Sequence, residues 1–284
     1  MQPKLALILS LLLLTSVVNS QVIIVPEKEN LKGKVKSYSE LTYKTLERNG
    51  KIEKGEQIIN DWGYDIQRRY DENGNQIEWN GYNPGSSLYI KYTYKYDENG
   101  SPIEQNWYNS DGSLKGSRTN KFKYDVNGNR IEENHYSSDG SLSLKNTFKY
   151  DKNGNRTEWK WFNSDGSLNG KHIYKYDDSG NRIEENFYNS VGTNYRKLTY
   201  KYDEKGNQIE EDRYLDDNFE GKATYQYDEN GNRIQEKRYS LDGSLSKKKT
   251  FQYNYDQRGN WIKKTVFEDD TAKFILEREY QYFK

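Results

Sequence analysis

The sequence predicts an all-β repeat array, a series of antiparallel β-hairpins joined into an elongated or curling meander sheet. Three observations lead there. A Tyr-Asp pair with glycine four residues after the tyrosine recurs at Tyr70, Tyr96, Tyr124, Tyr150, Tyr176, Tyr202, Tyr227 and Tyr255, at steps of 26, 28, 26, 26, 26, 25 and 28 residues. A period of this size marks one supersecondary unit stacked on copies of itself. Each unit holds two β-rich runs and two clusters of turn residues, which leaves no room for a helix. Finally, the chain is only 32% hydrophobic yet carries 27 tyrosines and no net charge. Low hydrophobicity without net charge, and with many aromatics, points to a sheet with amphipathic aromatic packing rather than to disorder.

The elements follow in chain order. Lys4 precedes the largely apolar run Leu5 to Val18, and Val18-Asn19-Ser20 offers small residues before Gln21, so residues 1–20 read as a secretory signal peptide. That run is shorter than the ~20 residues a membrane span needs. Residues 21–67 form a strand-rich N-terminal cap, with Tyr38, Tyr43, Trp62 and Tyr64 near the turn pair Asn49-Gly50. Residues 68–267 are the repeats. In the third copy, Thr119 to Tyr124 is a strand, Asp125-Val126-Asn127-Gly128-Asn129 a turn, Arg130 to Tyr136 the return strand, and Ser138-Asp139-Gly140-Ser141 the second turn. Residues 268–284 lack the second-turn glycine and read as a C-terminal cap strand. Caps of this kind close the open edges of an array. About 18 strands are expected, two per repeat plus the caps.

Counting from each tyrosine as zero, position 16 holds Gly112, Gly140, Gly166, Gly192 and Gly243, Gly85 falls one residue early, and Asn218 replaces glycine in the sixth copy. That substitution predicts a left-handed backbone at position 16. Register is legible too. The residue before the tyrosine is basic and position 8 is Glu in the first six copies, from Arg69 with Glu78 to Lys201 with Glu210. Both become glutamine in the seventh, at Gln226 and Gln235. The joint change places them opposite each other across the first hairpin. The same register sets the tyrosines, and aromatics such as Tyr94 and Phe122, on one face with Ile103 and Ile131. A competing register, with a one-residue bulge after the glycine, would flip one strand and break that segregation.

Chemistry is sparse. The 44 basic and 44 acidic residues are interspersed, so no long-range field draws in nucleic acid. The absence of cysteine excludes disulfides and a lipidated cysteine, and suits a bacterial envelope or extracellular protein. His135 and His172 occupy different repeat positions and form no repeated site. The turns such as Asp71-Glu72-Asn73-Gly74-Asn75 resemble calcium loops only loosely, with glycine too early and no bidentate glutamate after it. No metal, no cofactor and no enzymatic activity are expected. The candidate ligand-binding residues are Trp79, Trp107, Trp159, Trp161 and Phe187, aromatics at positions 9 and 11 of the early repeats and replaced there by charged residues in the late ones. Exposed, they would stack on sugar rings or anchor a protein; covered, they are sheet packing.

Motifs such as Tyr96-Asp97-Glu98-Asn99-Gly100 and Tyr176-Asp177-Asp178-Ser179-Gly180-Asn181 resemble the YD repeats of bacterial Rhs and teneurin-like proteins over roughly residues 68–267. The resemblance implies a spiralling β-sheet and a cell-surface scaffold. The family's toxin encapsulation is not carried over, because the chain is too short to enclose a domain. The expected function is an exported, non-enzymatic binding or scaffold module for a protein or glycan partner, located in the periplasm, at the cell surface or in the medium. The alternative is an envelope carbohydrate-active hydrolase using repeat-borne carboxylates.

Overall fold

The computed structural model describes Glu29 and residues 31–58, 65–83 and 86–284. Residues 1–20, expected to be a signal peptide, and Trp62, Tyr64, Pro84 and Gly85 lie outside them. Strands β1 (Val35–Arg48) and β2 (Lys51–Ile58) form the first hairpin, followed by β3 (Asp65–Tyr70), β4 (Gln76–Tyr82), β5 (Leu88–Tyr96) and β6 (Pro102–Tyr108). The middle repeats supply β7 (Leu114–Tyr124), β8 (Arg130–Tyr136), β9 (Leu142–Tyr150), β10 (Arg156–Asn163), β11 (Leu168–Tyr176) and β12 (Arg182–Asn189). The last are β13 (Asn194–Tyr202), β14 (Gln208–Leu215), β15 (Asn218–Tyr227), β16 (Arg233–Tyr239), β17 (Leu245–Tyr255), β18 (Trp261–Glu268) and β19 (Thr271–Tyr282). Every repeat tyrosine is thus the last residue of its strand.

The chemistry of the first turn explains the Tyr-Asp signature. Asp125 Oδ1 accepts hydrogen bonds from the backbone N–H of Asn127 at 2.9 Å and of Asn129 at 2.8 Å, and Oδ2 accepts from Asn129 Nδ2 at 3.0 Å. Gly128, at φ 81°, closes the loop where a side chain would be strained. The tyrosine ties neighbouring repeats together. The hydroxyls of Tyr150, Tyr176 and Tyr202 donate to the carbonyls of Arg130, Arg156 and Arg182, each at 2.7 Å. This gives the phenol a polar anchor 20 residues upstream, which phenylalanine could not provide.

The meander does not stay open. β1 pairs with β19 on one side and with β3 on the other, so β1 and the strands β3 to β19 form a closed ring of 18, with β2 a hairpin extension on β1. The two terminal segments expected to cap separate edges seal against each other instead. Their unpaired N–H and C=O groups are thereby satisfied.

The charged register is as expected: Lys95 stands opposite Glu104, Lys123 opposite Glu132 and Gln226 opposite Gln235. The face of the isoleucines is not. Tyr124 pairs with Arg130 while Lys123 pairs with Glu132, so Ile131 is an extra residue that bulges outward and is 37% exposed. A bulge at that point preserves the Lys–Glu pairing and puts the isoleucine beside the glutamate on the outer wall. The inner wall therefore carries the repeat positions −2, 0, 6, 9 and 11. Position 16 is left-handed at its glycines, from Gly112 at φ 81° to Gly243 at φ 79°, and only the copy with Asn218 needs correction. Asn218 is an ordinary strand residue, and Asp216 (φ 46°) and Asp217 (φ 61°) make a two-residue turn with both backbones left-handed. The one-residue deletion in this copy converts the longer loop into that tighter hairpin.

The outer wall bears a ladder of ion pairs, including Lys123–Glu132–Lys145 at 2.8 and 2.9 Å and Lys149–Glu158 at 3.0 Å. A lipid-facing barrel needs an apolar band at this place, so this wall is suited to water. No helix among the described residues is long and apolar enough to cross a membrane.

Candidate ligand-binding wall inside the barrel

All five candidate aromatics lie on the inner wall, in two groups. Trp79 and Trp107 flank Tyr92 on β4 to β6, with the Trp79 and Tyr92 rings 5.6 Å apart. Trp159, Trp161 and Phe187 gather on β10 to β12 around His172, at ring distances of 5.0, 5.1 and 4.2 Å. Phe187 is buried and the four tryptophans are half-buried. Two of the indoles sit over glycines. A Cβ on Gly116 would lie 2.3 Å from Trp107, and one on Gly170 would lie 2.4 Å from Trp161. The missing side chain on one strand makes room for the ring on the next.

His172, which sequence reasoning set aside, is the hub of the second group. Its Nδ1 lies 2.8 Å from Glu185 Oε1, Glu185 also accepts from Tyr200 at 3.2 Å, and Arg182 lies 3.3 Å away. Burial alone would raise the Glu185 carboxyl, but the His172 hydrogen bond and the Arg182 charge outweigh it and hold it below its ordinary value. His135, fully buried one repeat earlier, is pushed down by burial, with Asn146 Nδ2 at 3.0 Å from its Nε2. Asn146 in turn accepts from the Trp159 indole N–H at 3.0 Å. The two histidines are thus linked through one asparagine and one tryptophan, although they occupy different repeat positions.

A second pattern runs along the wall. Arginines at position 6 stack between the aromatics at position −2. Arg130 lies over Phe122 and Phe148 at 5.1 and 5.5 Å, and Arg182 over Tyr174 and Tyr200 at 5.4 and 5.3 Å. Position 9 then supplies the counter-ion: Arg130–Glu133 at 3.8 Å, Arg182–Glu185 at 3.3 Å and Arg233–Glu236 at 3.2 Å. In two repeats position 9 is tryptophan instead, and the partner at position 6 changes its state. Gln76, ahead of Trp79, is buried with neither amide atom hydrogen-bonded. Arg156, ahead of Trp159, has no carboxylate in ion-pair range among the described residues. Aligning positions 6 and 9 across the copies would have exposed this exchange in the sequence.

A cavity of about 430 Å³ opens where the segment from Glu29 to Val35 meets the first repeat turn. Gln76, Arg68, Tyr70 and Tyr96 line it, and none of the candidate aromatics does. Among the described residues no three His, Asp or Glu side chains are placed to hold a metal ion.

No family model and no curated protein matches the chain. Among solved structures, a porin-like protein from Bacteroides uniformis is similar at 10% identity over 88% of this chain and 98% of that one, with a TM-score of 0.43. The pore state of a Photorhabdus luminescens Tc holotoxin is similar at 14% identity and TM-score 0.38, over 86% of this chain but only 14% of that one. A porin-like protein from Bacteroides vulgatus is similar at 10% identity and TM-score 0.32, over 89% of this chain and the whole of that one. At these scores none of the likenesses bears on what the chain binds.

Proposed function

We propose that the chain is an exported, non-enzymatic binding module of a bacterial envelope, built from YD-type repeats, that receives a glycan on the inner wall of its barrel. One observation carries this reading: the half-buried tryptophans stand beside position-6 groups without their usual partner, Gln76 with no hydrogen bond to its amide and Arg156 with no carboxylate in ion-pair range. An aromatic face next to unpaired donors is what a sugar ring, apolar on its C–H face and polar at its rim, requires. The leader-like residues 1–20 and the cysteine-free composition support export.

The carboxylates weigh against the hydrolase alternative. A general acid must be held protonated near neutrality, whereas hydrogen bonds from Lys123, Lys145 and Asn134 lower Glu132 to about 2, and Glu185 is lowered as well. Intrinsic tryptophan fluorescence during titration with a panel of bacterial and plant polysaccharides tests the proposal. A saturable change that Trp159→Ala weakens at least tenfold, with the β spectrum retained, is the expected result. Binding untouched by replacement of each of the four tryptophans in turn would refute it. Mass spectrometry of the exported protein should find Gln21 at its N-terminus; intact Met1 on cytoplasmic protein would refute export.

A further inference from the structure

The inner wall neutralises its position-6 arginines by a rule that is broken once. Four repeats place arginine at position 6, and three of them place glutamate three residues later as its ion-pair partner. The exception is Arg156, where Trp159 replaces the glutamate. Its guanidinium is flanked by the rings of Phe148 at 5.3 Å, Trp159 at 5.9 Å and Tyr174 at 5.5 Å. The residue is half-buried on the inner wall. Arg130 and Arg182 on either side are each offset by their own glutamate, so Arg156 is the uncompensated position-6 arginine of this stretch, and Arg196, over Phe187 at 5.3 Å, adds a second positive charge to the same wall. A guanidinium fork matches a carboxylate bidentately. The adjacent rings extend that contact with an apolar surface, which Trp159 and Trp161 continue at a ring separation of 5.2 Å.

We propose that Arg156 with Trp159 forms a subsite for an acidic sugar, the carboxylate of a uronic acid unit meeting the guanidinium and the C–H face of the ring lying on the indole. This rests on the reading of the inner wall as a glycan-binding surface. It adds the ligand's charge, the residue that selects it, and the repeat in which the selection occurs.

Calorimetric titration of the mature chain with an oligogalacturonide and with its fully methyl-esterified form separates the two levels. The acid should bind at least tenfold tighter than the ester, and Arg156→Gln should abolish the difference. Trp159→Glu restores the pattern of the sister repeats and supplies an internal counter-ion, so it should also abolish the preference. Trp159→Gln, which copies Gln105 at the same position of the second repeat, should keep the preference with weaker binding of both forms. Equal binding of acid and ester to the unaltered chain would overturn the subsite and leave the glycan-binding wall standing. Binding of neither glycan, with capture of an acidic peptide instead, would overturn both readings in favour of a protein ligand.

Discussion

Trp107 and Gly116 face each other across β6 and β7, and their coupling separates structural from ligand-facing tryptophans without any ligand. Added to Gly116, a Cβ would find its three nearest atoms in the Trp107 indole, at 2.3, 2.5 and 3.0 Å. Gly116→Ala therefore forces the ring off the strand, an overpacking cost of ~1–3 kcal/mol, partly offset by the ~0.5–1 kcal/mol that alanine gains over glycine within an element. Trp107→Ala alone should cost ~2 kcal/mol, below the range for a fully buried tryptophan because the ring is half-buried. In the double variant the clash is gone, so Gly116→Ala should become neutral or stabilising, giving a coupling of ~2 kcal/mol. Gly170 provides the control. Its Cβ would meet Trp161 at 2.4 Å but also the Tyr188 carbonyl oxygen at 2.9 Å, so Trp161→Ala should fail to rescue Gly170→Ala. Urea unfolding of the six variants reads both cycles. Additivity at Gly116 within ~0.5 kcal/mol, or equal rescue at both glycines, would refute the packing argument.

Three further outcomes follow from the wall and the seam. Arg278 bridges Glu40 at 2.7 Å and Glu29 at 3.0 Å across the β1–β19 junction, with side-chain exposures near a tenth for Arg278 and Glu40. Arg278→Met should lose ~3–5 kcal/mol through the stranded Glu40 carboxylate, measured by urea unfolding, and a loss below ~1 kcal/mol would contradict a sealed seam. Glu132 is lowered in the folded chain from 4.5 to about 2, so the stability it contributes is fully present above pH 4.5 and disappears as pH falls towards 2. Glu132→Gln should therefore flatten the decline in melting temperature over that interval. Replacing Asp216-Asp217 by Asn-Gly, the pair best suited to two left-handed positions, should raise stability by ~0.5–1 kcal/mol in thermal melts.

The sequence carried the hairpin architecture and the Lys–Glu register because both are written in local, repeated chemistry. The Gly128-type turns recur, and Gln226 and Gln235 lose their charges together. The bulge at Ile131 was visible only as the competing register, since it changes which wall a residue faces without changing the repeat spacing. The 25-residue step before Tyr227 did contain the short Asp216-Asp217 turn, but reading Asn218 by alignment with the glycines obscured it. Ring closure was illegible for a different reason: Ser37 to Glu40 and Arg278 to Gln281 are non-repeating segments more than 200 residues apart, and no turn fixes their pairing. Of the inner wall, the aromatics were singled out from their variation between copies. His172 and Arg156 were missed because each gains its meaning from a partner on a different position or strand.

Ring closure is the claim on which the inner wall depends, and a distance across the seam tests it most directly. Ser39 and Glu279 are opposite one another on β1 and β19, where Cα atoms lie ~4.5–5.5 Å apart. The chain has no cysteine of its own, so Ser39→Cys with Glu279→Cys takes spin labels only at those two points. Double electron–electron resonance, with continuous-wave line broadening for the shortest separations, should find the labels within ~20 Å, the opposed backbones plus two label arms. An open meander would carry β1 and β19 at opposite edges, with 17 strand spacings of ~4.8 Å between them. A separation approaching ~80 Å would contradict the closed barrel and the enclosed binding wall together.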